Sequence, residues 1–184
     1  MTVTRTLRLD EDLDEALEKM AREEGESVNA LASRSLRKLV EWDVLADKLG
    51  MVQMNAGTLV RLIEPLTEEE VRDLGSWVGK EVWEPFITYR YLTATPDTAL
   101  QSLQLLSRYA SRFRVDYSVK AGRVVVIIRH SMGIKWSAFY EGAARAVFED
   151  LMRVGIVSHI TDELVTIEFQ AQDESKGDEV SVPR

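Results

Sequence analysis

At 184 residues, with 45% hydrophobic and 29% charged residues, the chain has the composition of a globular protein holding one sizeable domain, or a small and a medium one. It contains no cysteine, which excludes disulfides, thiolate metal sites and cysteine nucleophiles. The net charge of −8 argues against a general nucleic-acid binder, because phosphate neutralisation dominates that affinity. No apolar run approaches the roughly 20 residues that span a bilayer, and the N-terminus lacks the basic and apolar regions of a signal peptide. The expectation is a cytoplasmic protein with no membrane partner.

Residues 3–9 alternate. Val3, Arg5, Leu7 and Leu9 share one parity, and Thr4, Thr6 and Arg8 share the other. In a strand these sets point to opposite faces, one largely apolar and one offering two hydroxyls and a guanidinium. So short a strand cannot stand alone, and the stretch that follows reads as helix, turn, helix. The partner strand is therefore expected from a second copy of the chain. Before Asp10 there are two arginines and no acid, so the strand is locally basic in an acidic chain.

Asp10 is placed to cap the first helix, with Glu11 and Asp12 in its first turn. Leu13, Ala16, Leu17, Met20 and Ala21 form its apolar stripe. Gly25 is placed to stop it in a left-handed cap. Ser27 is the N-cap expected for a second helix with the stripe Val28, Leu31, Ala32, Ser35, Leu36 and Leu39. Arg34, Arg37 and Lys38 read as that helix's solvated face. The helix runs on past Trp42 towards Gly50. No Pro/Gly/Ser-rich linker follows, so a stiff junction is expected over 42–50.

This strand-helix-helix order with its turn chemistry resembles the ribbon-helix-helix family of DNA-binding proteins, of the MetJ/Arc/CopG type, over residues 2–42. The resemblance implies an intertwined homodimer whose paired strands enter the major groove of double-stranded DNA. It assigns base contacts to Thr4, Thr6 and Arg8, residue types suited to guanine, base edges and the thymine methyl. It assigns phosphate contacts to Ser27, Val28 and Asn29 at the start of the second helix. Arg5 falls on the inward parity. Either it reaches around the ribbon end to a phosphate, or the strand starts at Thr6.

Beyond the junction, residues 51–54 alternate as an edge strand would. Asn55 caps a short helix holding Leu59, Val60 and Ile63. Thr67 and Glu70 form a capping box for a helix through Val71, Leu74, Val78 and Val82, which Pro85 should interrupt or kink. Thr95-Pro96-Asp97 starts a further helix. Alternation over 113–119, the turn Lys120-Ala121-Gly122 and the apolar run 124–128 predict a hairpin. A long amphipathic helix follows from Trp136 to Leu151, with Gly155 near its end. Two strands are then expected, over 156–160 and 164–169. The fold class expected is α+β: the ribbon-helix-helix over 1–45, an α+β domain with a helix-covered antiparallel sheet over 46–170, and a disordered tail over 171–184.

No phosphate loop, dinucleotide fingerprint or nucleophile elbow is present, and no catalytic constellation is found, so no enzyme activity, cofactor or metal is expected. Some members of the resembled family sense nickel through a His/Cys-rich domain. Two distant histidines, His130 and His159, do not supply that site. The most unusual cluster runs from His130 to Tyr140, where a strand enters a helix. His130 and Lys135 are candidates for a polar ligand group, and Trp136 and Tyr140 for its apolar part. The simpler reading is a structural corner. His130 could also make the corner respond to pH.

The leading reading is a sequence-specific regulator: a homodimer, or a dimer of dimers, with a C-terminal domain for assembly or for sensing a small-molecule effector. An antitoxin is a second class, and a metabolite-binding protein that uses the ribbon only to dimerise is a third.

Overall fold

The computed structural model describes residues 3–110 and 112–170. The predicted disordered tail lies outside the described residues. The chain divides into two compact units, Met1–Met51 and Val52–Arg184, a boundary several residues later than the sequence suggests. The later boundary follows from the second helix, which continues to Lys48 before Gly50 turns the chain at φ 64°.

In the first unit, residues 3–9 form neither helix nor strand in the single chain. A strand needs a neighbour to satisfy its amides and carbonyls, and this chain supplies none there. Helix α1 (Glu11–Glu24) starts at Asp10, whose backbone is extended but whose side chain makes no capping hydrogen bond. The acidic first turn, Glu11, Asp12 and Asp14, meets the helix dipole instead. Gly25 ends α1 at φ 69°, and the Glu26 amide donates to the Ala21 carbonyl at 3.0 Å, the expected left-handed stop. Helix α2 (Val28–Lys38) passes through a π-helical turn (Leu39–Asp43) into α3 (Val44–Lys48) without a break.

The second unit is α+β. Residues 51–54 form no strand, which corrects the edge-strand expectation. Alternation over so few residues carries little weight without a paired neighbour. Asn55 Oδ1 caps α4 (Ala56–Ile63) through the Thr58 amide at 2.8 Å. The predicted capping box opens α5 (Glu68–Val78), with both reciprocal hydrogen bonds made between Thr67 and Glu70. Pro85 does not end this helix. A π-helical turn (Gly79–Trp83) precedes it, and α6 (Glu84–Tyr91) continues to Leu92 at φ 70°. The wider turn accommodates the proline's missing amide and its ring. Helix α7 (Pro96–Tyr109) opens on a Thr95–Thr98 capping box.

Strands β1 (Arg114–Lys120), β2 (Arg123–Arg129), β3 (Val157–Ile160) and β4 (Leu164–Gln170) form one antiparallel sheet in the order β1-β2-β4-β3. Ala121 and Gly122, both at positive φ, make the two-residue hairpin turn that matches strand twist. Between the two strand pairs, α8 (Ile134–Arg145) runs into a third π-helical turn (Ala146–Leu151). The helix ends at Met152 and Arg153 (φ 58°), short of Gly155.

Val124, Val126 and Ile128 of β2 and Val165, Ile167 and Phe169 of β4 point to one face and are buried there, with α8 packed on that side. Helix α5 covers the other side of α8 at very short range. A methyl at Gly75 would collide with the Phe139 carbonyl, and one at Gly142 with the Arg72 carbonyl. Glycine is required at this crossing because two backbones occupy the space of side chains. Trp83 closes the far end, donating from Nε1 to Ser102 Oγ at 2.7 Å and meeting Phe148 edge-on.

Candidate functional site

Thr4, Arg5, Thr6 and Arg8 are all exposed, and among the described residues their side chains make no hydrogen bond or ion pair. Ser27, Val28 and Asn29 stand at the start of α2. Ser27 Oγ accepts the Ala30 amide at 3.1 Å, while the first helical bond runs from the Leu31 amide to the Ser27 carbonyl. The amides of Val28 and Asn29 precede that bond and point out of the helix end, the geometry that attracts an anion. The acids beside this end are answered within the unit. Arg34 lies 2.5 Å from Glu24 and 2.6 Å from Glu26, and its hydrogen bond holds the Glu24 carboxyl below the usual range. Arg34 is thus more than part of a solvated face: it offsets part of the turn's negative charge.

The same unit leaves its stripes open. Leu7 (62%), Leu9 (43%), Leu13, Met20, Leu36 and Leu39 are exposed, whereas Ala21 and Leu31 are buried. The outer members of both stripes are thus uncovered in one chain.

In the second unit, the structure assigns the predicted ligand corner mostly to structural work. The buried imidazole of His130 accepts the Met132 amide on Nδ1 at 3.3 Å. Nε2 therefore carries the proton and donates to Ser137 Oγ at 2.9 Å, and the Ser137 hydroxyl donates to the Thr161 carbonyl. This relay ties the end of β2 to α8 and to the β3–β4 turn. Burial pushes the His130 pKa below its ordinary value, with Glu163 opposing it, which favours the neutral ring. Protonation would also break the Met132 bond, which argues against a sensor acting near neutrality. Lys135 Nζ donates to the Glu64 carbonyl at 2.6 Å, at the C-terminal end of α4. Trp136 is core, packed with Ile63, Val71 and Met132. Its Nε1 finds no acceptor among the described residues. Tyr140 sits among Phe113, His130, Trp136 and Phe139, and burial pushes its hydroxyl pKa far up.

Two features escape a reading of the sequence by neighbours. Glu141 Oε2 takes Arg72 Nε at 3.1 Å, while Oε1 takes Arg145 Nη2 at 3.2 Å and the Ser158 hydroxyl at 2.5 Å. Burial raises its pKa, but these hydrogen bonds outweigh that and leave it lowered. The carboxylate joins α5, α8 and β3, which no local spacing reveals. The second feature is a basic groove at the end of the sheet, reached by His130 but not by Lys135, Trp136 or Tyr140. Its only local trace is the arginine alternation at 112 and 114.

Comparison with protein-family models and with curated proteins returns no match. Among the described residues, no helix is long and apolar enough to cross a membrane.

Proposed function

We propose that the chain is a homodimeric, sequence-specific DNA-binding regulator of the ribbon-helix-helix type, with the Val52–Arg184 unit serving assembly or effector sensing. The observation that carries this reading is the uncovered apolar side chains of the first unit: Leu7, Leu9, Leu13, Met20, Leu36 and Leu39 are exposed along the N-terminal segment, α1, α2 and the start of the π-helical turn. A second copy placed about a two-fold axis covers these side chains and pairs residues 3–9 as an antiparallel ribbon. Thr4, Thr6 and Arg8 then face outward together, and the α2 amides of Val28 and Asn29 meet the flanking phosphates. Pairing of Arg34 with Glu24 and Glu26 supports the reading, because it reduces repulsion where a phosphate would dock. An otherwise acidic surface disfavours non-specific binding and favours discrimination.

A gel-shift titration against the DNA upstream of the protein's own coding sequence, at two salt concentrations, tests it. Arg8→Ala is expected to weaken specific binding by about 1–3 kcal/mol and relax base preference, as for a lost bidentate contact, with the dimer intact. Equal affinity for wild type and variant, or no sequence preference in the wild type, contradicts the proposal.

A further inference from the structure

The groove at the sheet end has a volume of about 740 Å³, a size typical of small-molecule sites. The last turns of α7 wall it on one side, and the start of β1 and the end of β2 wall it on the other. Arg108, Arg112, Arg114 and Arg129 line it, and among the described residues lining it there is no carboxylate. Four arginines thus line one groove in a chain whose net charge is −8.

Part of this charge is costly where it stands. Arg114 and Arg129 are direct cross-strand partners on β1 and β2, and like charges in that relation destabilise a sheet. Asp116 answers Arg129. Among the described residues, neither Arg112 nor Arg114 makes an ion pair. The wall that carries them is fixed in place: Ser107 Oγ donates to the Phe113 carbonyl at 3.3 Å and accepts the Val115 amide at 3.1 Å. Phe113, also in the lining, rests edge-on against Tyr140 at 5.3 Å and so gives the basic site an apolar, immobilised floor.

From this we propose that the groove binds a small anion bearing at least two oxyanion groups, phosphate or carboxylate. Planar guanidinium forks match such groups bidentately, and two of them answer Arg112 and Arg114, the lining arginines with no ion pair among the described residues. A role as the regulator's effector rests on the DNA-binding proposal above. Occupancy of the groove does not.

The test is calorimetric titration of the full chain, without DNA, by sodium pyrophosphate and separately by citrate, with ionic strength held constant by chloride. Saturable binding of at least one of them, at one site per chain, is expected, and the stronger of the two tells phosphate from carboxylate recognition. The double variant Arg112→Gln/Arg114→Gln should lose affinity by at least about tenfold, as expected when charge-assisted hydrogen bonds are removed. Arg114→Lys should fall between, keeping the charge without the fork. Should the double variant fail to fold, Arg114→Gln, at an exposed strand position, carries the same comparison. No saturable binding of either anion, or equal binding by wild type and glutamine variants, overturns the proposal. A gel shift with and without the bound anion then reads coupling alone: binding that leaves DNA affinity unchanged supports the groove as a site and removes its effector role.

Discussion

In the Val52–Arg184 unit, Phe86, Ile87, Phe148 and Ile167 are 1% exposed or less. In the Met1–Met51 unit, Leu36 is 49% exposed on the N-capped α2, and Leu39 is 47% exposed where the π-helical turn begins. The second unit closes its core with its own elements, down to backbone contact between α5 and α8. The first has complete local structure and an incomplete core. The difference shows that capping and helix formation do not depend on a finished interior, while residues 3–9 form no strand in the single chain. The helices satisfy their own amides, and a strand cannot.

The largest expected effect breaks the closed unit. Gly142→Ala forces a methyl into the Arg72 carbonyl at the α5–α8 crossing, with backbone on both sides and little room to yield. Denaturant unfolding should show a loss of about 3 kcal/mol, at the upper end for overpacking. A loss near zero would mean the helices lie further apart than described here.

Glu141→Gln should cost less, about 2 kcal/mol, because Arg72 keeps Glu68 and Arg145 keeps Glu149. Its pH signature is specific. The folded carboxyl pKa lies below the unfolded value, so its stabilisation is present above the unfolded value and is lost as pH falls through the folded one. Wild type should therefore lose stability over acidic pH more steeply than the glutamine variant. Parallel curves would contradict the assignment.

Leu36→Asp sharpens the comparison from the other side. It should make the protein monomeric at low micromolar concentration in sedimentation velocity, since a carboxylate replaces a side chain of the proposed shared core. Unfolding of the Val52–Arg184 unit should shift by less than about 0.5 kcal/mol. A variant that stays dimeric places the subunit contact elsewhere.

The elements that could be read from the sequence share one property: their cause is local. Gly25 and Ser27 mark the α1–α2 turn, Thr67 and Glu70 the start of α5, and Ala121-Gly122 the hairpin. Pro85 marks an interruption of the α-helical path, but the form it takes, a π-helical turn just upstream, is signalled by no propensity. Residues 51–54 mislead because alternation without a pairing partner does not make a strand. For the candidate sites, the proposed DNA contacts Thr4, Thr6, Arg8 and the α2 start rest on their order along the chain, and the structure adds only that Thr4, Thr6 and Arg8 are exposed. Sequence misassigns Lys135 and most of the His130 corner, since the Glu64 carbonyl and the Thr161 carbonyl come from distant segments. The arginine groove is visible only once the β1–β2 register sets Arg114 opposite Arg129.

The central claim is that a second copy completes the first unit by pairing residues 3–9. Amide hydrogen exchange of those residues, followed as a function of protein concentration in the absence of DNA, tests it most directly. The account predicts that alternate amides within 3–9 become strongly protected as the dimer forms and exchange freely on dilution to monomer, while β2 and β4 stay protected throughout. Free exchange of every amide in 3–9 under conditions where the protein is dimeric would contradict it.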